Sequence, residues 1–372
     1  MLFSIEKEVF LKGLARIQGI VEKRNTIPIL SNVLIEAGQD KITLTATDLE
    51  VGMRAAYPAK VKTNGKITVS AKKIYEIIKE LPEKEISFKA KENCWIEISC
   101  GKSLFNIVGL SSDEFPHFPQ PDESKMAPIN GTILGDMIDK TYFSVSTDET
   151  KYNLNGIYFK SEIENEKSIL RLVATDGHRL AMTIRPVETS AIVELTDGVI
   201  FPRKGLLELK KMTEETESDL KLGFMDNSAV IAREDTIVVM RLVDGDFPDY
   251  TRVIPKNNEV IVKLPRDLFL HALKRMAILS SEKSKGVKID FKKGFLEISS
   301  SNPEIGDARE EVEIEYTGEN LSIGFNARYM IDILQVLEGE YVNLAVKDNL
   351  SPGLITPDGN DGFLAVVMPM RL

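Results

Sequence analysis

Thr68-Val69-Ser70-Ala71-Lys72-Lys73-Ile74-Tyr75-Glu76-Ile77 decides the fold, because the chain repeats it twice more. The second copy, Ile200-Phe201-Pro202-Arg203-Lys204-Gly205-Leu206-Leu207-Glu208-Leu209, follows 132 residues later; the third, Gly324-Phe325-Asn326-Ala327-Arg328-Tyr329-Met330-Ile331-Asp332-Ile333, lies a further 124 on. Each reads as a strand running into a helix. Ser70, Pro202 or Asn326 opens the helix, basic residues follow, and an acidic residue stands six positions after the opener. Ser and Asn are favoured N-caps, and Pro is tolerated in a first turn whose N–H has no helical partner.

Outward from that unit, Glu114-Phe115-Pro116-His117-Phe118 returns as Asp246-Phe247-Pro248-Asp249-Tyr250, again displaced by 132, and Ala46-Thr47-Asp48 returns as Ala174-Thr175-Asp176, displaced by 128. Internal repeats of this length define the architecture. They predict three domains, 1–124, 125–253 and 254–372. Segments Lys41–Ala46, Ile96–Cys100, Ile169–Ala174, Thr236–Leu242 and Phe295–Ser299 alternate or carry β-branched runs between turn residues, as strands do. Amphipathic helices open the repeats, shown by Phe10, Leu11, Leu14, Ile17 and Gln18 in the first and by Leu268, His271, Ala272, Met276 and Leu279 in the last. The expected class is α+β: three similar domains, each of two helices and antiparallel strands.

Composition narrows the functions. With 372 residues, 43% apolar and 28% charged, the chain can build several cores. It has no run of about 18 uncharged apolar residues, and its N-terminus becomes charged too early for a secretory signal. A cytoplasmic protein is expected, with Cys94 and Cys100 buried and reduced rather than bridged. Only His117, His178 and His271 are present, and no HExxH, Walker loop or GxSxG occurs. Asp176-Gly177-His178-Arg179 could be read as an acid–base cluster, but Asp-Gly is first a hairpin-turn signal. No spacing suits a metal, and no cofactor is expected. Residues 211–219 read as an acidic, solvated loop. The net charge of −10 argues at first against nucleic acid.

Four stretches in order, Leu154-Asn155-Gly156, Ala174-Thr175-Asp176-Gly177-His178-Arg179-Leu180-Ala181, Leu242-Val243-Asp244-Gly245-Asp246-Phe247-Pro248-Asp249-Tyr250 and Val366-Val367-Met368-Pro369-Met370-Arg371-Leu372, give the whole chain a resemblance to the beta sliding clamp family of bacterial DNA polymerase III. That resemblance implies a non-catalytic processivity factor: a head-to-tail homodimer of three-domain chains, helices lining a hole and sheets outside, encircling double-stranded DNA. It implies as partners the replicative polymerase's catalytic subunit, a separate ATP-driven clamp loader, translesion polymerases and repair proteins, and no membrane.

Geometry and charge agree with such a ring. A domain of about 124 residues is a sphere roughly 35 Å across; three in contact leave a hole of about 5 Å and six one of about 35 Å. A duplex is roughly 20 Å wide, so two chains are needed. Helical windows 6–24, 72–81, 135–141, 203–212, 266–285 and 327–338 carry net +7 and leave −17 elsewhere. A basic lining that touches phosphates binds without sequence preference and weakens with salt.

The resemblance places DNA contacts at Arg24, Lys72, Lys73, Lys204, Lys283 and Lys285, with Lys285 where many relatives carry Arg and Ser284 where many carry an aromatic. It places a cleft for hydrophobic peptide motifs at Leu154, Thr175, Gly177, His178, Arg179, Leu180, Pro248, Arg252, Val253, Asn326, Tyr329, Leu350, Pro352, Val366, Val367, Met368, Pro369, Met370 and Arg371. Core packing is expected for Val366 and Val367, and an open wall for Leu180, Met368 and Met370; Gly353, where relatives are larger, implies a looser wall. Ring closure falls to Phe105 and Ile107 on an edge strand, facing Ile278 and Leu279, with Lys73 adding a polar contact. Two other readings compete: a hydrolase centred on Asp176 and His178, and a repeat scaffold that binds no DNA.

Overall fold

A computed structural model describes the chain apart from residues 22–26, 165, 188–194, 216–218, 257, 282–284, 360–361 and 372. The first repeat runs β1 (Leu2–Glu6), α1 (Lys7–Ile17), β2 (Asn32–Gly38), β3 (Lys41–Thr47), β4 (Val51–Pro58), β5 (Lys60–Thr63), β6 (Gly65–Ser70), α2 (Ala71–Glu80), β7 (Glu85–Ala90), β8 (Trp95–Cys100) and β9 (Ser103–Val108). The second runs β10 (Ala127–Ile129), α3 (Gly131–Tyr142), β11 (Gly156–Glu164), β12 (Lys167–Thr175), β13 (Arg179–Pro186), β14 (Val199–Pro202), α4 (Arg203–Glu215), β15 (Leu220–Met225), β16 (Ser228–Arg233) and β17 (Thr236–Arg241). The third runs β18 (Val260–Pro265), α5 (Arg266–Ile278), β19 (Gly286–Lys292), β20 (Phe295–Asn302), β21 (Gly306–Glu313), β22 (Leu321–Asn326), α6 (Ala327–Val336), β23 (Tyr341–Val346), β24 (Gly353–Pro357) and β25 (Phe363–Val367).

The openers behave as their chemistry requires. Ser70 Oγ accepts from Lys73 N at 3.4 Å, and Asn326 Oδ1 accepts from the amides of Arg328 and Tyr329 at 2.9 and 3.4 Å. Each satisfies orphan donors of a first turn.

Two compact units emerge, and they follow sheets rather than repeats. One, Met1–Gly131 with Lys204–Leu242, holds a five-stranded sheet β5-β1-β7-β8-β9 and an eight-stranded sheet β10-β15-β16-β17-β4-β3-β2-β6. The other, Thr132–Arg203 with Val243–Leu372, holds an eight-stranded sheet β14-β11-β12-β13-β25-β24-β23-β18 and a four-stranded sheet β21-β20-β19-β22. Each eight-stranded sheet therefore joins two repeats, through β17 on β4 and through β25 on β13, both antiparallel.

In the first unit Phe3 stacks on Phe88 at 4.8 Å and meets Phe10 edge-on at 6.1 Å, all fully buried. Truncating Phe10 to Ala there costs about 3–5 kcal/mol. In the second unit α5 and α6 pack over both sheets around Phe269, Phe291, Phe325 and Leu334.

Three local expectations are corrected. The buried face of α5 is Phe269, Leu270, Ala272, Leu273 and Met276; Leu268 is exposed, as is His271, because apolar residues surround this helix and the sheets choose the face. The segment 211–215 is the end of α4, not loop. Cys94 and Cys100 are free, but only Cys100 is buried; Cys94 sits in a turn with φ 62°.

Candidate partner cleft and nucleic-acid face

The cleft begins at the β12–β13 turn. Asp176 Oδ1 accepts from the amides of His178 at 2.9 Å and Arg179 at 3.0 Å, Thr175 Oγ1 accepts from Gly177 N at 3.1 Å, and Gly177 takes φ 91°, where glycine is unstrained. Thr175 Oγ1 also donates to Arg179 O at 2.7 Å. These bonds hold the turn, which presents His178 to solvent.

Arg179 anchors it. Its Nε donates to Asp176 Oδ2 at 3.1 Å and its Nη1 to Asp332 Oδ2 at 2.6 Å, while its guanidinium lies 4.5 Å from the Tyr329 ring centroid and 5.4 Å from that of Phe143. Such a cation, paired twice and stacked between rings, is a fixed wall rather than a free charge. Burial raises the Tyr329 hydroxyl above its usual pKa. Asp332, read from sequence only as the acidic residue of the third repeat unit, and Phe143 were not placed at this site: Asp332 lies 153 residues from Arg179, and no local pattern links them.

The C-terminal tail closes this side. Met368 N donates to His178 O at 2.9 Å and Met370 N to Gly324 O at 2.8 Å. Met368 stays 38% exposed, Pro369 and Met370 half-buried, and Arg371 exposed. Leu180 departs from expectation. It is 2% exposed and packs with Val173, Met182 and Val366 beneath Phe247, Tyr250 and Ile254, because β13 turns this side chain to the sheet face that the connecting segment covers. Val366 and Val367 are core residues as read from sequence.

Leu154 is half-buried at the end of the Glu149–Leu154 turn, which Asn153 Nδ2 ties to Asp246 O at 3.0 Å. Pro248 is exposed, Arg252 is exposed and paired with Asp249 at 2.8 Å, and Val253 is exposed. Leu350 is 63% exposed on a turn whose Asp348 Oδ1 accepts from its amide at 2.9 Å, and Pro352 O accepts from Asn258 Nδ2 at 3.2 Å. Gly353 is no gap in the wall. A Cβ there would stand 3.0 Å from Phe325 Cζ, so the ring already occupies that space. Tyr152, 60% exposed beside Gly245, is an apolar surface residue the sequence reading missed.

The DNA candidates are unequal. Arg24 and Lys283 lie outside the described residues, as does Ser284. Lys72 and Lys73 project from α2, largely exposed, with loose pairing to Glu76 at 3.8 and 3.0 Å. Exposed pairs of this kind are readily exchanged for a phosphate. Lys204 is different: its ammonium is bound by Asp48 Oδ2 and by Ile20 O at 2.8 Å, so it is a structural cation and not the open contact expected. Lys285 is half-buried at φ 49°, its carbonyl accepting from Ala327 N at 2.8 Å. Among the closure residues, Phe105 is exposed and Ile107 half-buried on the edge strand β9, while Ile278 is 75% exposed and Leu279 half-buried at the end of α5.

Catalytic geometry does not form at the turn, since the Asp176 carboxylate is committed to two amides and a guanidinium rather than to the imidazole of His178. Among the described residues no group of three or more His, Cys, Asp or Glu could hold a metal ion, and no helix is long and apolar enough to cross a membrane.

A threefold-repeated α+β chain whose sheets join its repeats carries a hydrogen-bonded turn beside a half-exposed apolar tail, the surface of a binding scaffold. Family models for the N-terminal, central and C-terminal domains of the DNA polymerase III beta subunit match residues 1–119, 128–249 and 251–371. The beta sliding clamp of Caulobacter vibrioides is 37% identical over 375 residues, covering all of both chains. Among solved structures, a Caulobacter crescentus beta sliding clamp with polyethylene glycol at a putative beta-motif tethering region superposes with a TM-score of 0.94 at 37% identity, and a Bartonella birtlesii clamp bound to griselimycin with 0.95 at 35%, each over the full length of both chains. This chain belongs to the DNA polymerase III beta subunit family, the sliding clamps, and is a non-catalytic processivity factor.

Proposed function

We propose that two copies of the chain close head to tail into a ring around double-stranded DNA, and that the joints inside one chain dictate the joint between chains. Isolated bridges Thr68–Leu110, Ile200–Val243 and Gly324–Met370 make Leu110, Val243 and Met370 equivalent, and so, three residues earlier, Ile107, Met240 and Val367. At the other partner, Asp48, Asp176 and Asn302 open equivalent turns, each accepting the amide two residues on. Three residues after them stand Val51, Arg179 and Ile305. Val51 pairs with Met240, and Arg179 with Val367. Among the described residues Ile305 has no such counterpart, and neither has Ile107. The observation that carries the reading is this pair of matching open positions, Ile305 just before the edge strand β21 and Ile107 on the edge strand β9.

Both edges suit closure. Leu104 and Val108 are each 59% exposed on β9, and Ile305 is 58% exposed beside β21. An apolar sheet edge left bare is an aggregation hazard that pairing removes. Pairing Ile107 with Ile305 sets Phe105 against Asp307, and the exposed Ile278 with the half-buried Leu279 supplies the apolar cover. The six repeats so closed, 1–124, 125–253 and 254–372 in each chain, leave room for a duplex. Arg24, Lys72, Lys73, Lys283 and Lys285 then supply the lining, with Lys204 holding the wall behind it.

In this reading the cleft takes a short peptide with hydrophobic anchors from the polymerase catalytic subunit, the clamp loader, translesion polymerases or repair proteins. The protein works in the cytoplasm. The test is retention on nicked circular DNA after loading by a clamp loader with ATP. The ring reading expects protein held on the circle in high salt and shed when the circle is cut. Release by salt from circle and linear DNA alike would contradict it.

A further inference from the structure

β1 and β18 are counterparts: each opens its repeat and runs directly into a helix, and each pairs with the strand that follows the repeat's second helix, β7 or β23. Their other edges differ. β1 is covered by β5, whose Thr63, Val61 and Lys60 pair with Leu2, Phe3 and Ser4, and whose Lys60 Nζ reaches Glu85 at 2.7 Å. Among the described residues β18 is the last strand of its sheet, with no strand paired to its outer edge. The segment that would correspond to β5 turns inward instead. Tyr316 is 7% exposed, its ring 5.9 Å from that of Phe291, and its hydroxyl donates to Glu319 O at 2.6 Å.

The space left is a groove of about 1110 Å³ between β18, the start of α5 and the end of β21. Leu268, Phe295 and Tyr341 contribute apolar surface to it, and Ile261 is 67% exposed on the bare strand. Glu311, Glu313 and Glu315, all exposed, line it as well. Of the two lysines there, Lys263 is already held by Asp358 at 2.6 Å and lies over the Tyr341 ring at 4.5 Å. Lys293 is the other, so the lining sets three carboxylates against two ammonium groups, one of them already paired, and is net acidic. β10, the corresponding strand of the second repeat, offers no such edge: it has three residues and one is Pro128.

We propose that the outer edge of β18 accepts an extended, lysine-bearing segment of a partner protein as an added strand, reproducing in trans what β5 does for β1. Main-chain pairing supplies the affinity, and alternate lysines facing the glutamates supply the selection. The site lies at the start of α5, whereas Ile278 and Leu279 lie at its end. It is independent of the DNA-encircling reading.

The test uses the full chain, methyl-labelled at isoleucine, titrated with a synthetic peptide of this chain's own residues 58–65. Saturable shifts of the Ile261 and Ile314 methyls are expected, with the buried Ile289 unmoved. Glu311→Lys, Glu313→Lys and Glu315→Lys together should weaken binding by about tenfold or more. On the unaltered chain, a peptide carrying Glu in place of both lysines should leave Ile261 still. No shift with the lysine peptide, or equal shifts with the acidic one, would overturn the proposal.

Discussion

Thr47–Val51 and Thr175–Arg179 are the same turn put to opposite uses. In both, an Asp accepts the amides two and three residues on, Asp48 from Glu50 and Val51, Asp176 from His178 and Arg179. The second carboxylate oxygen separates them. That of Asp48 is taken by Lys204, and the Asp48 side chain is left 2% exposed. Phe118 then lies over the next residue, Gly52, at 3.0 Å from where a Cβ would be. This joint is sealed by its own chain. That of Asp176 takes Arg179, which reaches on to Asp332 and Tyr329, and Leu180 stands where the first joint has Gly52. The second joint keeps its turn at the surface beside a half-exposed apolar tail. Identical backbone chemistry makes a closed seam or a binding edge according to four side chains.

Breaking the closed seam has the largest effect. Asp48→Ala strands the Lys204 ammonium; because Lys204 is about one-third exposed, the loss should be about 2–3 kcal/mol rather than the roughly 3–5 of a fully buried pair. Urea unfolding measures it, and binding of a cleft peptide should be unchanged. Breaking the open joint inverts that pattern. Asp332→Ala removes one of two anchors from Arg179, costing about 1–2 kcal/mol of stability and a similar share of peptide affinity by fluorescence anisotropy. An unaltered affinity would mean that Arg179 needs no positioning.

Gly52→Leu places the second joint's residue in the first. Phe118 must shift, at about 1–3 kcal/mol. The smallest effect belongs to Asp348, whose carboxyl the Leu350 amide and then the Ser351 hydroxyl hold below its ordinary range. A depressed carboxylate stabilises its turn above the unfolded-state value and loses that support only as pH falls through the lower folded value. The Leu350 amide resonance should therefore titrate with a midpoint below the roughly 3.9 of a free Asp, and a midpoint at or above it would refute the turn's role.

Much of this was legible in the sequence because it is local. Ser70, Pro202 and Asn326 marked strand–helix units by capping chemistry, and Asp176-Gly177 marked a hairpin. What was hidden is decided at a distance. Asn302 was missed as the third turn opener because Asn302-Pro303-Glu304 shares no pattern with Asp176-Gly177-His178. Lys204 was placed on DNA by the resemblance alone, and its tie to Asp48, 156 residues away, has no local signal. Leu180 read as a wall, and Leu268 as core, because sheet and helix faces are assigned by what packs on them. Gly353 suggested space that the Phe325 ring fills.

The central claim is that Ile107 and Ile305 complete, between chains, the pairing already made twice within one. Sedimentation velocity of the unaltered chain and of Ile107→Asp at micromolar concentration tests it most directly. The account predicts a particle of twice 41.6 kDa for the first and of 41.6 kDa, with unchanged circular dichroism, for the second. A monomer in the unaltered chain, or a dimer that ignores the substitution, would contradict it.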